Sequence, residues 1–263
     1  DSEYEGVGEA SVTVRWSGEM AASTCCLIHQ VLGPAIKGLD PTDIEAVDQR
    51  MDAVCADNWF AKSAIEMACW DIQGKEAGKP VYELLGGASR SLAIRCRFSM
   101  GAYPPERARQ RAAELVEEGF TTIKVKVGTA IEEDVERVKI VRETIGPELA
   151  MVIDANAGWD APTAIEAAGR LEGLNVGLFE QPTTNGDFHA LAEVRRAIDM
   201  QVMADDIVFD LADARECIRH EACDVISLYP GKNGGIRKSL EIARHAAEHG
   251  VACSIGSNLE LDV

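Results

Sequence analysis

The stretch Thr122-Ile123-Lys124-Val125-Lys126 decides the fold, because it is a short apolar run that ends in charge. Three later runs end in the same way, in Ile153-Asp154-Ala155-Asn156, Phe179-Glu180-Gln181-Pro182 and Ala204-Asp205-Asp206. Functional groups of α/β folds lie beyond the C-terminal ends of parallel strands. In an open sheet four such ends would be spread along a line, whereas in a barrel they converge on one mouth. The pattern therefore favours a (β/α) barrel.

Outward from this stretch, short apolar runs alternate with amphipathic helical segments, which is typical of successive βα units. The predicted strands are residues 93–99, 122–127, 150–155, 176–180, 201–204, 224–228 and 251–254. Their continuous hydrophobicity indicates buried parallel strands, since strands with one solvent face alternate. We predict an α/β fold, a TIM-type barrel over residues 89–263 that contains strands one to seven.

Residues 1–88 follow a different pattern and are predicted to form a separate N-terminal domain. A strand-like opening at residues 6–9 precedes mostly helical segments. Asp40 is predicted to cap one helix, and a longer helix is expected from Trp59 to Gly74. Pro80 and the Leu-Leu-Gly-Gly run at 84–87 place the boundary near residue 88.

The charge balance excludes several classes of partner. The chain has 26 Lys and Arg against 44 Asp and Glu, a formal net charge of −18. Such an excess repels phosphate backbones and anionic lipid, so we expect neither nucleic acid nor membrane as a partner. No run approaches the roughly 20 apolar residues of a membrane span. The first five residues are acidic where a secretory signal would be basic, so we expect a cytoplasmic protein.

Cysteine and histidine give no metal signature. The eight cysteines include no Cys-x-x-Cys pair and are predicted to be reduced and to fill the core. His245 and His249 are four residues apart and offer a possible ligand pair. We interpret them as a solvated face near a helix end.

Three carboxylates at successive strand ends carry the chemistry. Asp154, Glu180 and Asp205 would repel one another in a low-dielectric mouth unless a cation were present. Hard oxygen ligands suit Mg²⁺, with Mn²⁺ as an alternative. Acids at strand ends also occur as structural ion pairs, which is the alternative interpretation.

Lys124 and Lys126 are two residues apart on one strand and therefore share a face, predicted to point into the mouth. A buried amine near another cation has its neutral form favoured, as a general base requires. Lys124 is expected to lower the pKa of Lys126 and to hold an anionic substrate. A metal and a lysine base together indicate removal of a proton next to a carboxylate, through an enediolate.

This order of motifs resembles the enolase superfamily, in particular the mandelate racemase and muconate lactonizing enzyme family, nearer its muconate lactonizing branch. Further matches lie at residues 6–10, 64–71, 80–87 and 232–235. The resemblance implies an α+β capping domain over a modified barrel. The Mg²⁺ ligands that it implies are Asp154, Glu180 and Asp205. It also implies Lys126 as the base, Asn156 as support for the metal shell, and Asp206 where this branch more often has Glu.

The chain departs from the family pattern at the end of strand six. Tyr229 stands where the family has its second lysine, and Lys232 follows three residues later. The Pro230-Gly231 pair could turn the backbone so that the Lys232 amine reaches the mouth. The alternative is an exposed loop lysine, and both Tyr229 and Lys232 stay candidates for the opposing acid or base.

Length is the second departure. The family has another strand before Gly6 and an eighth barrel strand with its helix after residue 254. We therefore expect a partial copy of the family domain, whose capping domain lacks its first strand and whose barrel is incomplete at its C-terminal end. Strands one and seven would then be unpaired edges.

The reaction depends on how many bases face the substrate. With one secure base we expect a muconate cycloisomerase-like or acid-sugar dehydratase-like enzyme that acts on a small carboxylate. An epimerase or racemase of an amino acid or dipeptide, which needs two acid/base groups, is the alternative. A non-catalytic metal-binding barrel is the alternative of another class. The family often forms symmetric assemblies, so a homo-oligomer is expected.

Overall fold

The computed structural model describes residues 3–258 and residue 260. Within this range seven parallel strands form one sheet in the order of the sequence. The strands are β1 (Phe98–Met100), β2 (Thr122–Lys126), β3 (Ala150–Asp154), β4 (Val176–Glu180), β5 (Gln201–Ala204), β6 (Val225–Leu228) and β7 (Ala252–Ile255). A doubly wound sheet reverses its strand order at a switch point, whereas a barrel keeps it. The sequential order therefore agrees with the predicted barrel type.

Helices precede the sheet and then alternate with its strands. The first group is α1 (Val14–Ser17), α2 (Ala21–Leu27), α3 (Gly33–Ile36), α4 (Ile44–Val54), α5 (Trp59–Ala77) and α6 (Val81–Leu84), with a π-helical turn at Ile28–Leu32. The second group is α7 (Pro105–Glu117), α8 (Ile131–Ile145), α9 (Ala161–Arg170), α10 (Phe188–Ala197), α11 (Leu211–Arg219) and α12 (Ile236–Glu248). Each helix of the second group follows one strand, as βα units require.

The helices bury the apolar stripes that the sequence predicts. On α7, Ala108, Ala112 and Leu115 are fully buried in the main core. These positions recur at helical spacing, so they form one face, and that face packs on the sheet. Burial of each large apolar side chain of such a stripe stabilises the fold by about 1.5–3 kcal/mol.

The sheet is curved, because side chains from distant strands meet. Arg97, just before β1, donates from Nη2 to Glu180 Oε2 at the end of β4, over 2.9 Å. Met100 of β1 and Ser257 beyond β7 line the same cavity. In a flat sheet these groups would lie several strands apart, at about 4.8 Å per strand.

The predicted strand at residues 6–9 is wrong, and among residues 3–88 the structure has helices but no strand. This segment lies against α5 so closely that a Cβ on Gly8 would be 1.7 Å from the Ala64 carbonyl oxygen. The Val7 N–H donates to Asp71 Oδ2 over 2.9 Å. A side chain of α5 thus satisfies a backbone group that a neighbouring strand would otherwise bind. The α+β character expected for the capping region is therefore absent from residues 3–88.

Three predicted boundaries also change. Asp40 does not cap α4; it accepts from the Thr42 N–H in a tight turn, and Asp43 caps the helix by accepting from Ala46 N. Helix α5 continues beyond Gly74 to Ala77. Strand β1 is shorter than residues 93–99, because its edge position leaves residues 93–97 without a ladder partner and Ile94 is 74% exposed.

The cysteines are free, as predicted, but only some of them fill the core. Cys69, Cys217 and Cys223 are buried and Cys55 is half-buried. The core-filling prediction is wrong for the remaining four, Cys25, Cys26, Cys96 and Cys253, which are exposed.

Among residues 3–258 and 260, none of the helices combines the length and the apolar content that crossing a bilayer would require.

Candidate active site

The three predicted carboxylates lie at one end of the sheet. Asp154 and Glu180 are the last residues of β3 and β4 and are neighbours in the ladder. Asp205 follows β5 directly. All three are buried, with at most 2% exposure. The parallel register therefore gathers the acidic strand ends as the sequence predicts.

Lys124 bridges two of these acids. Its Nζ lies 2.7 Å from Asp154 Oδ2 and 2.5 Å from Glu180 Oε1. Burial lowers the pKa of Lys124, but the two carboxylates outweigh burial and raise it overall. The predicted roles of Lys124, as an anion holder and as the group that lowers the pKa of Lys126, would require this ammonium to release its carboxylates first.

Lys126 lies on the same face and reaches the cavity. Its Nζ is 2.6 Å from Asp154 Oδ2 and also contacts Asn156 Oδ1. Its side chain is 27% exposed, against 8% for Lys124. Asn156 is held in turn, because its N–H donates to Asp154 Oδ1 over 2.9 Å. Of the two lysines on β2, Lys126 is thus the one that a substrate can approach.

Lys232 is fully buried and is not an exposed loop lysine. Its Nζ donates to Ser227 O at 2.9 Å, to Asp205 O at 2.8 Å and to Asp205 Oδ1 at 3.0 Å. The turn at Pro230-Gly231 therefore does bring this amine to the end of the barrel. It lies beneath the cavity wall, however, with its Nζ 4.8 Å from the centre of the Tyr229 ring.

Tyr229 is the residue of this pair that lines the cavity. Its hydroxyl oxygen lies 3.4 Å from Asp205 Oδ2. Burial, followed by the charges of Asp205 and Glu180, raises the pKa of Tyr229 far above its usual value of 10.0. The phenol is therefore held in its protonated form.

Two further residues of the site, Arg97 and Gln181, were not predicted from the sequence. Arg97 donates to Glu180 Oε2 over 2.9 Å, and a charged residue within the apolar run 93–99 was the signal for it. Gln181 accepts from the Asp205 N–H through Oε1 at 2.9 Å and donates to Thr183 O through Nε2. Gln181 lies within the motif at the end of β4, and no local signal in the sequence indicates that it orders two strand ends.

The donor chemistry of the acids fits a hard divalent cation. Burial, together with the Asp154 and Asp205 charges, raises the pKa of Glu180 to about 7 despite Lys124. Burial and the charge of Asp205 do the same for Asp206, whose pKa is about 7. Burial also raises the pKa of Asp154, but the charges of Lys124 and Lys126 outweigh burial and lower it overall. Positive charge close to these carboxylates thus favours their ionised forms, and a divalent cation supplies such charge. In this structure the Lys124 ammonium, which lies between Asp154 and Glu180, provides positive charge at this position.

In the present side-chain arrangement Asp154, Glu180 and Asp205 do not bring one oxygen each within 4.8 Å of one another. Each is held by an ammonium or guanidinium group instead. Among the described residues, that spacing is met by His245, Glu248 and His249 at the end of α12. Glu248 and His249 are exposed, which agrees with a solvated helix face.

The cavity at the barrel mouth, which Lys126 and Tyr229 line, has a volume of about 740 Å³. Thr13 and Trp16 contribute from the N-terminal region, and Lys126, Asp206 and Tyr229 from the barrel. Lys126 is the last residue of β2 and Tyr229 directly follows β6. Because β2 and β6 are four strands apart in a curved sheet, these two residues belong to different walls. The arrangement can remove a proton from one side of a bound molecule and deliver one from another.

Comparison with known proteins agrees with this geometry. Residues 107–263 match the family profile described as enolase C-terminal domain-like. Residues 4–86 match the N-terminal domain of mandelate racemase and muconate lactonizing enzyme. Fold and matches together define a member of the enolase superfamily. Within it, the chain belongs to the mandelate racemase/muconate lactonizing enzyme family, as its motifs predicted.

Individual relatives include epimerases and cycloisomerases. The chain is 36% identical to the hydrophobic dipeptide epimerase of Enterococcus faecalis, over 97% of this chain and 71% of that protein. The dipeptide epimerase of Cytophaga hutchinsonii, solved with Mg and the dipeptide D-Ala-L-Val, has a TM-score of 0.92 at 33% identity, covering 96% of this chain and 68% of that one. The 2-chloromuconate cycloisomerase of Rhodococcus opacus 1CP has a TM-score of 0.95 at 31% identity, covering 100% and 72%. The family is thus one of isomerase-type enzymes.

Proposed function

We propose that the protein is an epimerase that inverts the carbon next to a carboxylate in a dipeptide or a related amino-acid derivative. The observation that carries this proposal is the placement of Lys126 and Tyr229 on different walls of one cavity. Epimerisation needs two acid/base groups, because one proton leaves one face and another arrives at the opposite face. The relatives that are dipeptide epimerases support this reaction over the single-base reactions first expected from the sequence.

In the proposed reaction the Lys126 amine takes the proton from the substrate carbon. Electron density moves from the broken C–H bond into the carboxylate, which becomes an enediolate. The Tyr229 hydroxyl then delivers a proton to the opposite face. The raised pKa of Tyr229 keeps this hydroxyl protonated, so that it has a proton to deliver.

The acidic strand ends complete the proposal. Asp154, Glu180 and Asp205 would hold a divalent cation, Mg²⁺ or alternatively Mn²⁺, supported by Asn156 and Asp206. When bound, the cation supplies positive charge to the substrate carboxylate and so lowers the barrier to proton removal. Thr13, Arg15 and Trp16 of the N-terminal region line the same cavity beside these acids.

The experiment is deuterium incorporation from ²H₂O into a panel of dipeptides and N-acyl amino acids with Mg²⁺ present. Two products are counted by NMR: the deuterated starting epimer and the inverted epimer. Lys126→Ala should lose both, by at least about 100-fold. Tyr229→Phe should lose the inverted epimer while the deuterated starting epimer persists. Inversion that survives in Tyr229→Phe at the wild-type rate would contradict the two-wall mechanism.

A cycloisomerase of the muconate type is the second candidate, and the tyrosine at position 229 favours it. A phenol with a raised pKa stays protonated and has no free site to accept a proton, so Lys126 would be the single base of that reaction. Turnover of muconates without inversion of any amino-acid derivative would select this candidate, and turnover of acid sugars would select the dehydratase. Mg²⁺ binding without deuterium incorporation into any carboxylate substrate would favour the non-catalytic metal-binding barrel. The homo-oligomer stays a prediction, which sedimentation equilibrium tests.

A further inference from the structure

The N-terminus of α12 is capped by a residue of another region of the chain. Glu66 of α5 is fully buried and accepts from the Ile236 N–H at 2.9 Å and from the Arg237 N–H at 2.8 Å. These partners are 170 and 171 residues away in sequence. The N-cap residue of α12 is Gly235, which has no side chain to offer. Glu66 thus satisfies two of the N–H groups that a helix start leaves without partners.

The contact is specific in shape as well as in charge. Trp70 Nε1 donates to Glu66 Oε1 over 2.7 Å, which fixes the carboxylate plane from the side of α5. Gly235 has a φ of +125° and passes so close that a Cβ there would lie 2.6 Å from Glu66 Cδ. A glycine is required for both reasons.

The segment that Glu66 anchors is the one that presents Tyr229 to the cavity. It joins β6 to α12 in seven residues, 229–235. The Tyr229 N–H donates to Asn233 Oδ1 at 2.9 Å, and the Gly235 N–H donates to Pro230 O at 2.7 Å. A closed turn of this kind moves as a unit, so a displacement at Gly235 is passed to Tyr229.

We propose that Glu66 is a positioning residue for the acid/base group on the β6 wall. By capping α12 it fixes segment 229–235, and through that segment it sets the distance from the Tyr229 hydroxyl to the substrate carbon. Lys126 is carried by β2, which shares no contact with Glu66 in the described hydrogen-bond network. The inference rests on the proposed function where it assigns proton delivery to Tyr229.

The test uses Glu66→Gln, which keeps the size of the side chain but leaves one acceptor oxygen for three donors. Asp48→Asn is the matched control. Asp48 is also buried on the N-terminal side and also binds Arg237, but it accepts from the side-chain Nε at 2.7 Å and not from the backbone of α12. The two variants therefore weaken the same contact between regions, and only one of them uncaps the helix.

The first readout is the ratio of inverted epimer to deuterated starting epimer in ²H₂O. Glu66→Gln should lower this ratio by about 10- to 100-fold, because proton delivery fails while removal by Lys126 continues. Asp48→Asn should leave the ratio within about twofold of the wild type. A loss of both products in equal proportion in Glu66→Gln would show a merely structural role and overturn the proposal.

The second readout does not depend on activity. Hydrogen–deuterium exchange of backbone amides should accelerate in residues 229–237 of Glu66→Gln and stay unchanged in β2. Unchanged protection of residues 229–237 would overturn the proposal. If the wild type inverts no substrate, the proposed function fails, and amide exchange alone then decides whether Glu66 fixes the segment. If Glu66→Gln does not fold, Trp70→Phe removes a single donor and is expected to shift both readouts in the same direction.

Discussion

At the scale of single residues, Lys232 shows how completely one buried charge can be held. Its three donated hydrogen bonds end on Ser227 O and on two oxygens of Asp205. The rings of Tyr229 and Trp16 lie beside it, with centroids 4.8 and 5.6 Å from Nζ. An ammonium has three N–H groups, so this lysine has no donor left for a substrate. Its position supports a structural role beneath Tyr229.

We therefore expect Lys232→Met to be strongly destabilising in Mg²⁺-free buffer. The variant leaves the buried Asp205 carboxylate without its ammonium partner, and breaking a buried pair in this way costs about 3–5 kcal/mol. Urea unfolding measures the free energy difference. Lys79→Met is the control, since Lys79 is exposed and such changes usually stay within about 0.5 kcal/mol. Equal effects of the two substitutions would refute the role assigned to Lys232.

A site residue can be predicted from the sequence when the pattern that marks it lies within a few residues of it. Asp154, Glu180 and Lys126 interrupt apolar strands at their ends, and that pattern is visible within five residues of sequence. Glu66 and Arg97 act on partners 170 and 83 residues away, respectively. The curvature of the sheet brings Arg97 to Glu180, and the packing of α5 against α12 brings Glu66 to its partners. No local pattern could therefore have assigned these partners.

At the scale of secondary-structure elements, α5 depends on an acceptor from outside the helix. Its N-cap residue, Asn58, has a left-handed backbone and makes no side-chain cap. Glu19 is 5% exposed and accepts from the Phe60 and Ala61 N–H groups, each at 3.1 Å. The same device, a distant carboxylate at a helix start, thus occurs at both α5 and α12.

We expect Glu19→Ala to destabilise the protein by about 1–2 kcal/mol, because it leaves two buried N–H groups of α5 without an acceptor. Glu19→Gln keeps one acceptor oxygen and should cost less. Chemical unfolding followed by circular dichroism gives both values. A glutamine variant as unstable as the alanine variant would point to the charge of Glu19 and not to its hydrogen bonds.

Asp52 of α4 links three helices and should make their packing depend on pH. It lies 2.8 Å from Lys62 of α5 and 2.8 Å from Lys238 of α12. Burial raises the pKa of Asp52, but the hydrogen bonds and charges of the two lysines outweigh burial and hold it below 3.8. A lowered folded-state pKa contributes stability above the unfolded value, and that contribution is lost as the pH falls.

The wild type should therefore be more stable than Asp52→Asn at pH 7. The difference should shrink as the pH falls below 3.8 and through the lowered pKa of Asp52. Urea unfolding across this range measures it. Asp199→Asn, at an exposed aspartate outside this cluster, serves as the control. A difference between wild type and Asp52→Asn that stays constant down to pH 3 would contradict the ion-pair explanation.

Helices and strands that bury a continuous apolar stripe could be predicted from the sequence. Helix starts and extended segments that depend on which of several neighbouring groups they bind could not. The stripe of α7 and the strands β3 to β5 follow from periodicity alone. Asp40 and Asp43 are both good N-cap residues, and the choice between them is made by Thr42, which binds Asp40 in a turn. The extended segment 6–9 has the composition of a strand but packs on α5. A helix can bind its backbone groups through side chains, but it provides no backbone ladder of the kind that a neighbouring strand would.

At the scale of the whole molecule, negative charge is concentrated in two places, over the surface and at the barrel mouth. The net charge of −18 opposes compaction, and salt screens that repulsion between exposed groups over about 10 Å at 0.1 M. The buried acids at the ends of β3, β4 and β5 are screened much less. A cation bound there should therefore stabilise the fold in a way that simple salt does not reproduce.

We accordingly expect Mg²⁺ to raise the melting temperature beyond the effect of KCl at matched ionic strength. A ligand that binds only the folded state stabilises it by about 2.7 kcal/mol at 100 times its dissociation constant. Glu180→Gln removes one carboxylate charge between Lys124 and Arg97, and should abolish the Mg²⁺-specific shift while keeping the response to KCl. Differential scanning fluorimetry over a Mg²⁺ titration measures both. If Mg²⁺ and KCl act alike on the wild type, the acids at the barrel mouth form a lysine-neutralised ion-pair network and not a metal site, and the proposed chemistry loses its source of positive charge.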